Sequence, residues 1–166
     1  MKDKMVHIIL GGTFDPVHVG HLRMAQEMLN HLPSAKVSLM PAAYPPHRDE
    51  PAASPQQRIE MLKLVTDSID ELSLDCRELE RSEPSYSVVT LKEIRQEIGD
   101  NCLIFLMGTD AFAKLDQWFQ WQDILTLCNI LVIGRPSSEL PKEGVVAELY
   151  AEKGLRDFRD LSQHEL

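Results

Sequence analysis

The fold of this chain is set by the stretch Val6-His7-Ile8-Ile9-Leu10-Gly11-Gly12-Thr13-Phe14-Asp15-Pro16-Val17-His18-Val19-Gly20-His21. It opens with a short apolar run containing β-branched residues, which predicts a buried strand. Gly11 and Gly12 end that run and allow a main-chain turn that a Cβ would hinder. From about residue 17 to residue 31, apolar residues recur at three- and four-residue steps and predict a helix. A glycine turn between a strand and a helix is how α/β proteins form an anion site, because main-chain N–H groups and the positive helix end point at the same place.

Two histidines distinguish this predicted anion site. His18 and His21 are three residues apart, so on a first helical turn they would lie on one face and meet the same anion. Both rings can donate hydrogen bonds to phosphate oxygens, and a neighbouring anion favours their protonated forms. Gly20 between them leaves room for a phosphate or ribose to approach the main chain. We therefore expect a phosphate site here, rather than two surface histidines at an ordinary helix start.

The composition is that of an ordinary soluble globular domain. The 166 residues suffice for one sheet with helices on both faces, and 43% of them are apolar while 26% are charged. The net charge of −9 argues against a general binder of nucleic acids or anionic membranes, so local positive groups must hold any phosphate ligand. Cys76, Cys102 and Cys128 are predicted to be buried thiols in a reducing compartment, outside any disulfide. Without a signal peptide or an apolar run long enough to cross a bilayer, we expect a cytoplasmic protein.

Strand and helix signals alternate along the rest of the chain. The sequence predicts strands over residues 36–40, 72–79, 102–107 and 129–133. It predicts helices over residues 55–69, 87–98, 124–127 and 142–153. Ser54 and Gln57 form a capping box for the first of these helices, and Ser87 could cap the second, which Gly99 ends.

This alternation implies right-handed βαβ crossovers, and therefore an α/β fold with one doubly wound parallel sheet and helices on both faces. We predict a single domain over residues 1–166. Ligands of such sheets bind beyond the carboxyl ends of the strands, so the segments 11–21, 41–48 and 108–118 should converge on one crevice. No His/Cys cluster has metal-ligand spacing, and neither a P-loop nor a Gly-x-Gly-x-x-Gly fingerprint is present. The sequence therefore argues against a P-loop NTPase or a dehydrogenase.

Residues 11–21 resemble the signature of the nucleotidyltransferase superfamily, whose HxGH motif holds the triphosphate of ATP or CTP. Further matches within residues 5–136, in family order, are similar to bacterial nicotinate-nucleotide adenylyltransferases. The resemblance implies a Rossmann-like sheet. It also implies that the nucleotide is bound by the two histidines together with Gly11, Gly12, Thr13 and Phe14, and that Asp15 contacts the second substrate.

Two arginines follow predicted strands. Pro45-Pro46-His47-Arg48 is similar to the family's Pro-Pro-His-Lys/Arg motif, and its prolines stiffen the loop that would carry Arg48 to the phosphates. Without the resemblance, a proline-rich surface loop is the better interpretation. Arg135 lies where the family has Arg-Pro-Gly, with Ser137 in place of that glycine. We predict that Arg135 contacts a substrate, although a surface arginine is nearly as good an interpretation.

The segment Pro84-Ser85-Tyr86-Ser87-Val88-Val89-Thr90-Leu91 resembles the family's Pro-Ser-Tyr-Thr…Thr-Leu motif, with Ser87 replacing the usual threonine. The resemblance implies that Tyr86 and Ser87 meet the nicotinate end of the substrate, because main-chain amides at a helix start bind carboxylates. The residues alone favour a helix cap and a packing tyrosine.

The segment from Gly108 to Trp118 matches the family's Gly-x-Asp…Leu…Trp pattern. Asp110 suits a ribose hydroxyl or a base amino group because its carboxylate accepts hydrogen bonds, and a helix N-cap is the alternative. The resemblance implies that Gly108 borders the nucleotide and that Trp118 stacks on the nicotinate ring. Trp121 is predicted to belong to the core.

The resemblance implies adenylyl transfer from ATP to nicotinate mononucleotide, which gives nicotinate adenine dinucleotide and pyrophosphate. The substrate phosphate is already a nucleophile, so catalysis would be positioning plus charge stabilisation. His18 and His21 would be the catalytic residues, with Arg48 helping. Mg²⁺ would be held mainly by ATP oxygens, consistent with the lack of a carboxylate cage in the sequence.

One family motif is missing. The family carries an Ile-Ser-Ser-Thr-x-Ile-Arg-like helix start that contacts the ATP phosphates, and this chain reaches Leu166 without it. An uncovered sheet edge or apolar surface would then favour aggregation or a homo-oligomer. Two alternatives stay open at this point. One is another superfamily enzyme, such as a phosphopantetheine adenylyltransferase or a cytidylyltransferase, and the other is a shortened, non-catalytic nucleotide-binding module.

Overall fold

A five-stranded parallel sheet organises the part of the chain that the computed structural model describes, residues 5–43, 51–134 and 139–154. The strands are β1 (Val6–Gly12), β2 (Lys36–Pro41), β3 (Leu72–Leu74), β4 (Cys102–Gly108) and β5 (Asn129–Ile133). The helices are α1 (Val19–His31), α2 (Pro55–Thr66), α3 (Arg77–Glu80), α4 (Ser87–Ile98), α5 (Thr109–Phe112), α6 (Trp121–Leu127) and α7 (Val145–Lys153), with a 3₁₀ turn at Leu115–Gln117. The strands lie in the order β3-β2-β1-β4-β5, which confirms the predicted doubly wound, Rossmann-like α/β fold.

Successive residues of each strand face opposite helix layers, because side chains alternate across a sheet. Ile8 and Leu10 of β1 lie in a buried cluster with residues of α1 and α2, among them Leu29 and Leu62. Ile9 lies in a second cluster on the other face, with buried residues of α4, α6 and α7: Val88, Leu91, Ile94, Ile124 and Val146. Covering both faces requires apolar residues at consecutive positions, which explains the unbroken apolar runs of β1 and β4.

Two predicted helix signals have the expected geometry. The Ser54 hydroxyl accepts the Gln57 main-chain N–H at 3.2 Å, and the Gln57 side chain accepts the Ser54 N–H at 2.9 Å, so the capping box of α2 is formed. Gly99 ends α4 with a φ of 58°, a left-handed conformation that favours glycine. The start of α2 and the end of α4 were predictable because the residues that give each signal lie within three residues of the helix end.

Two predicted starts are wrong by one or two residues. His18 has extended main-chain angles and caps α1, which therefore begins at Val19 and not near residue 17. Tyr86 occupies the N-cap of α4, since its carbonyl accepts the N–H groups of Val89 and Thr90. Ser87 is thus the first helical residue and not the cap.

Other boundaries also differ from the prediction. Helix α6, predicted over residues 124–127, already begins at Trp121, and at three more boundaries a local feature turns the chain. The strand predicted over residues 72–79 ends at Leu74, because the Asp75 carboxylate accepts the Arg77 main-chain N–H at 3.1 Å and starts α3. Helix α2 ends at Thr66, and the N–H groups of Ser68 and Ile69 then bond three residues back in a tighter turn. Helix α7 starts at Val145 because Gly144 has a φ of 86°.

The cysteines are less uniformly buried than predicted. Cys128 is buried, whereas Cys76 and Cys102 are partly exposed, and all three are thiols. Cys76 lies just beyond the short edge strand β3, and Cys102 is the first residue of β4, so neither is surrounded by the sheet. Within the described ranges, no helix is long and apolar enough to span a membrane.

Candidate active site

The carboxyl ends of β1, β2 and β4 lie side by side at one edge of the sheet. Gly12 pairs with Pro41, and the Gly12 carbonyl accepts the Ala42 N–H at 2.8 Å just beyond that pair. The strand order reverses between β1 and β4, so the loops that follow these two strands flank the switch point where doubly wound sheets bind ligands. The segments after β1 and β4 therefore start beside one switch point, while their convergence with segment 41–48 on one crevice stays a prediction, because most of that segment lies outside the described residues.

The rings of His18 and His21 are stacked at the N-terminus of α1, with centroids 3.9 Å apart and planes inclined by 28°. His18 Nδ1 accepts the Gly20 N–H at 3.1 Å, and His21 Nδ1 accepts the His18 N–H at 3.3 Å. Each neutral ring that accepts at Nδ1 carries its proton at Nε2. The two histidines therefore cap the helix through one nitrogen and present the other as a hydrogen-bond donor.

Gly20 has a different role from the one that the sequence indicated. A Cβ at this position would lie 2.9 Å from His18 Cε1 and 3.0 Å from His18 Nδ1. Any side chain would thus displace the His18 ring from its cap. The missing side chain gives room to the histidine, while the predicted approach of a phosphate or ribose stays a prediction.

The Phe14 side chain packs against His21 of the histidine pair. Its ring is buried and lies 4.7 Å from the His21 ring, at an inclination of 57°. The residue has a φ of 51°, which is uncommon for a residue other than glycine and re-aims the chain between β1 and α1. A nucleotide could meet Phe14 only through its main chain, because the side chain belongs to the core.

The aromatic side chains of the predicted pyridine site, Tyr86 and Trp118, pack against the buried cluster that contains Phe105 of β4. Trp118 is partly buried and lies edge-on to Phe105, with centroids 6.1 Å apart. A Cβ on Gly11 would approach the same Phe105 ring to 3.2 Å, so the glycine turn and Trp118 border one side chain. Tyr86 contacts Phe119 at 4.8 Å, and Phe119 is 52% exposed. The structure thus brings Trp118 and the glycine turn to the same side chain of β4.

Asp110 lies in the first turn of α5, directly after β4, and is exposed. Gly108 occupies the N-cap of this helix, so the alternative interpretation of Asp110 as the cap is wrong. The exposed carboxylate stands at the carboxyl edge of the sheet, where an acceptor for ribose or base groups was predicted.

Asp15 and Arg58 tie the glycine loop to α2. The Asp15 carboxylate accepts the N–H groups of Ala52 and Ala53, at 2.7 and 3.0 Å. Arg58 is only 1% exposed, and its guanidinium donates to the carbonyl of Thr13 at 2.9 Å and to two carbonyls after β2, those of Ala42 and Ala43. The observed contacts of Asp15 are structural, so its predicted substrate contact stays a prediction.

Sequence reasoning missed Arg58. The only signal was its position, four residues before the buried Leu62 and so on the inner face of α2. A charged residue on a buried stripe needs partners, and here they are main-chain carbonyls that no sequence pattern specifies.

The family model for cytidylyltransferase-like proteins matches residues 9–158 of this chain. A protein of Cellvibrio japonicus named probable nicotinate-nucleotide adenylyltransferase is 46% identical over 145 residues, which are 87% of this chain and 69% of that protein. A protein of the same name from Marinobacter nauticus is 44% identical over 149 residues, 89% of this chain and 69% of that protein. The chain belongs to the nicotinate-nucleotide adenylyltransferase family.

Solved structures related to this family share the fold. A Plasmodium falciparum nicotinic acid mononucleotide adenylyltransferase complexed with APC superposes with a TM-score of 0.65 at 16% identity, over 84% of this chain and 68% of that one. A putative nicotinate-nucleotide adenylyltransferase from Vibrio parahaemolyticus superposes with a TM-score of 0.63 at 17% identity, over 92% of this chain and 94% of that one. At these identities the likeness supports the sheet topology.

Family membership leaves some predicted site residues without a structural test. Arg48 and Arg135 lie outside the described residues, so their phosphate and substrate contacts stay predictions. Within the described ranges, no group of three or more His, Cys, Asp or Glu side chains is arranged to hold a metal ion.

Proposed function

We propose that this chain transfers the adenylyl group of ATP to nicotinate mononucleotide, releasing pyrophosphate. The observation that carries the proposal is the stacked pair His18 and His21 at the positive end of α1. Their Nδ1 atoms hold the helix start, and we infer that the Nε2–H groups donate to the phosphates of the nucleotide. Such a pair suits a triphosphate whose charge shifts during the reaction.

In this reaction an oxygen of the nicotinate mononucleotide phosphate attacks the α-phosphorus of ATP. One P–O bond forms there, the bond from the α-phosphorus to the bridging oxygen breaks, and the pair of electrons leaves with pyrophosphate. The attacking phosphate is already ionised at neutral pH, so no protein nucleophile is needed. We propose that His18 and His21 stabilise the negative charge that grows on the leaving pyrophosphate.

The two substrates would occupy opposite sides of the switch point. We assign the triphosphate to the glycine turn, Gly11–Phe14, and to the two histidines and Arg48, and the adenosine to Gly108 and Asp110. We assign nicotinate mononucleotide to Trp118 and to the α4 start, with Asp15, Tyr86, Ser87 and Arg135 as the further substrate residues. Phe105 borders Gly11, which we assign to the triphosphate, and Trp118, which we assign to the pyridine ring. This shared neighbour supports two adjacent substrate positions.

Mg²⁺ would enter as part of the nucleotide substrate. Its hard, octahedral coordination is satisfied by phosphate oxygens and water, so it reaches many phosphoryl-transfer sites with few protein ligands. We expect it to offset the charge of the triphosphate beside the histidines. Removing it with a chelator should therefore abolish turnover while leaving the fold intact.

The first test is pyrophosphate release by the purified chain from ATP and Mg²⁺ with nicotinate mononucleotide. Parallel reactions receive nicotinamide mononucleotide or phosphopantetheine as acceptor. Release with nicotinate mononucleotide alone supports the proposal, and release only with phosphopantetheine refutes it. ATP binding without pyrophosphate release from any acceptor would instead identify a non-catalytic nucleotide-binding module.

We also propose that the chain acts in the cytoplasm and forms a homo-oligomer. β3 and β5 are the edge strands of the described sheet, and an open edge is a surface for pairing with another copy. Light scattering across a range of protein concentrations tests the oligomer, and a constant monomer mass contradicts it.

A further inference from the structure

Four polar side chains are connected by hydrogen bonds between α3 and α4 and are here called the α3–α4 ring: Glu78, Arg81, Ser85 and Thr90. The Thr90 hydroxyl donates to Glu78 Oε1 at 2.8 Å and accepts from Arg81 Nη1 at 2.7 Å. Arg81 Nη1 also donates to Ser85 Oγ at 2.6 Å. The Thr90 hydroxyl therefore links the guanidinium to the carboxylate, and Arg81 links Thr90 to Ser85.

The ring is buried. Thr90 is 0% and Glu78 is 6% exposed, and the partly buried Arg81 also pairs with Glu93. Burial raises the pKa of the Glu78 carboxyl, while the hydrogen bond from Thr90 and the charge of Arg81 oppose that rise. Polar groups are retained in such surroundings only when their partners are fixed, which makes the ring stiff.

The ring holds Tyr86 from both sides. Ser85, a ring member, directly precedes Tyr86 in the chain. Thr90, another member, donates its main-chain N–H to the Tyr86 carbonyl at 3.2 Å, and Val89 donates to the same oxygen at 3.0 Å. Tyr86 caps α4 without a side-chain hydrogen bond of its own, so the ring supplies the fixation that a capping side chain would give.

Packing on the inner face of α4 does not explain why residue 90 carries a hydroxyl group. Its neighbours on the inner face of α4 are Val88, Leu91 and Ile94, all buried and apolar. A valine of nearly the same shape would fill the position without a hydrogen-bonding group. The hydroxyl is therefore explained by its hydrogen bonds to Arg81 and Glu78.

We propose that the α3–α4 ring positions Tyr86 and the first turn of α4 for the pyridine end of nicotinate mononucleotide, with Thr90 as its central positioning residue. This inference rests on the proposed function, which assigns that end of the substrate to the α4 start. Tyr86 in turn contacts the exposed Phe119, which directly follows Trp118 in the chain. The ATP side is held by separate contacts, those of Arg58 and the histidines.

The test compares Thr90→Val with Thr90→Ser. The valine variant keeps the volume and removes both hydrogen bonds, whereas the serine variant keeps the hydroxyl and loses only a methyl group. Dissociation constants for nicotinate mononucleotide and for ATP are measured by calorimetry on each folded variant and on the wild type. We expect Thr90→Val to weaken nicotinate mononucleotide binding on the order of tenfold, as small misplacements do. ATP binding should stay within about twofold, and Thr90→Ser should bind both ligands almost as the wild type does.

A merely structural role predicts a different outcome. Equal weakening of both ligands by Thr90→Val, or no weakening of either, overturns the inference. If Thr90→Val does not fold, Ser85→Ala replaces it, because Ser85 lies in the turn before α4 and its loss removes one side of the ring. The same selective loss of nicotinate mononucleotide binding is then expected.

The wild-type measurements separate this inference from the proposed function. A wild-type chain that binds nicotinate mononucleotide but releases no pyrophosphate contradicts the proposed activity, and the variants still decide the role of the ring. A wild-type chain that does not bind nicotinate mononucleotide overturns both.

Discussion

Replacing Arg58 by methionine tests whether its buried guanidinium holds the glycine turn, residues 11–14, to α2. The side chain is 1% exposed and donates to Thr13 O at 2.9 Å, Ala42 O at 2.7 Å and Ala43 O at 3.3 Å. Methionine fills much of the same volume but leaves these carbonyls without the donor. The variant therefore isolates the hydrogen bonds from the packing.

The expected loss follows from the two short bonds. A hydrogen bond from a charged donor contributes roughly 1.5–3 kcal/mol, so the pair contributes roughly 3–6 kcal/mol. Removing the guanidinium also removes the cost of burying its charge, which offsets part of this. We expect Arg58→Met to lower the free energy of unfolding by about 3 kcal/mol, about a hundredfold in the folding equilibrium.

Urea denaturation followed by circular dichroism measures this difference. Lys63→Met is the matched control, because Lys63 lies exposed on the same helix and the substitution removes the same charge. The control should change the free energy of unfolding by less than about 0.5 kcal/mol. If Arg58→Met lowers the free energy of unfolding by less than about 1 kcal/mol, the hydrogen bonds of Arg58 do not hold the glycine turn to α2. Where the variant folds, its affinity for ATP should fall more than its affinity for nicotinate mononucleotide, since Thr13 belongs to the glycine loop.

Three further predictions concern single side chains. His18→Asn keeps an acceptor for the Gly20 N–H but removes the Nε2 donor, so turnover should fall on the order of 10² or more at unchanged thermal stability. His18→Ala should also lose about 1 kcal/mol of stability, and near-normal turnover of the asparagine variant would remove His18 from catalysis. Burial, Lys36 and Arg95 lower the pKa of His7 from its ordinary 6.5, so the unfolded chain takes up this proton first as the pH falls. The contribution of neutral His7 to the free energy of unfolding is therefore fully present above pH 6.5 and decreases as the pH falls towards the folded-state pKa. In His7→Gln the urea midpoint should therefore change less with pH over that window, and an unchanged pH dependence contradicts the assignment to His7. Burial raises the pKa of the Cys128 thiol to about 12, so iodoacetamide at about pH 8 should modify it only as the chain unfolds, and rapid modification of the native protein would show that the thiol is accessible.

Much of the fold was predictable because its signals are local. The apolar runs of β1 and β4, the helical periods of α1 and α4, and the capping box of α2 all act within a few residues. The spacing of His18 and His21 belongs to the same class, since a three-residue step places two side chains together at any helix start. The largest boundary error, five residues after β3, arose where the Asp75 carboxylate turned the chain.

The sequence by itself determined the alternation of strands and helices, the glycine turn and the family to which the motifs belong. Only the tertiary structure decided that His18 is a cap whose ring occupies the space above Gly20, and that Phe105 borders both Gly11 and Trp118. It also decided that Arg58 binds the carbonyl of Thr13, 45 residues away in the chain. A sequence pattern reports the faces of single elements, whereas these contacts depend on how separate elements pack. Buried carbonyls and ring edges acquire partners only when the sheet brings distant segments together.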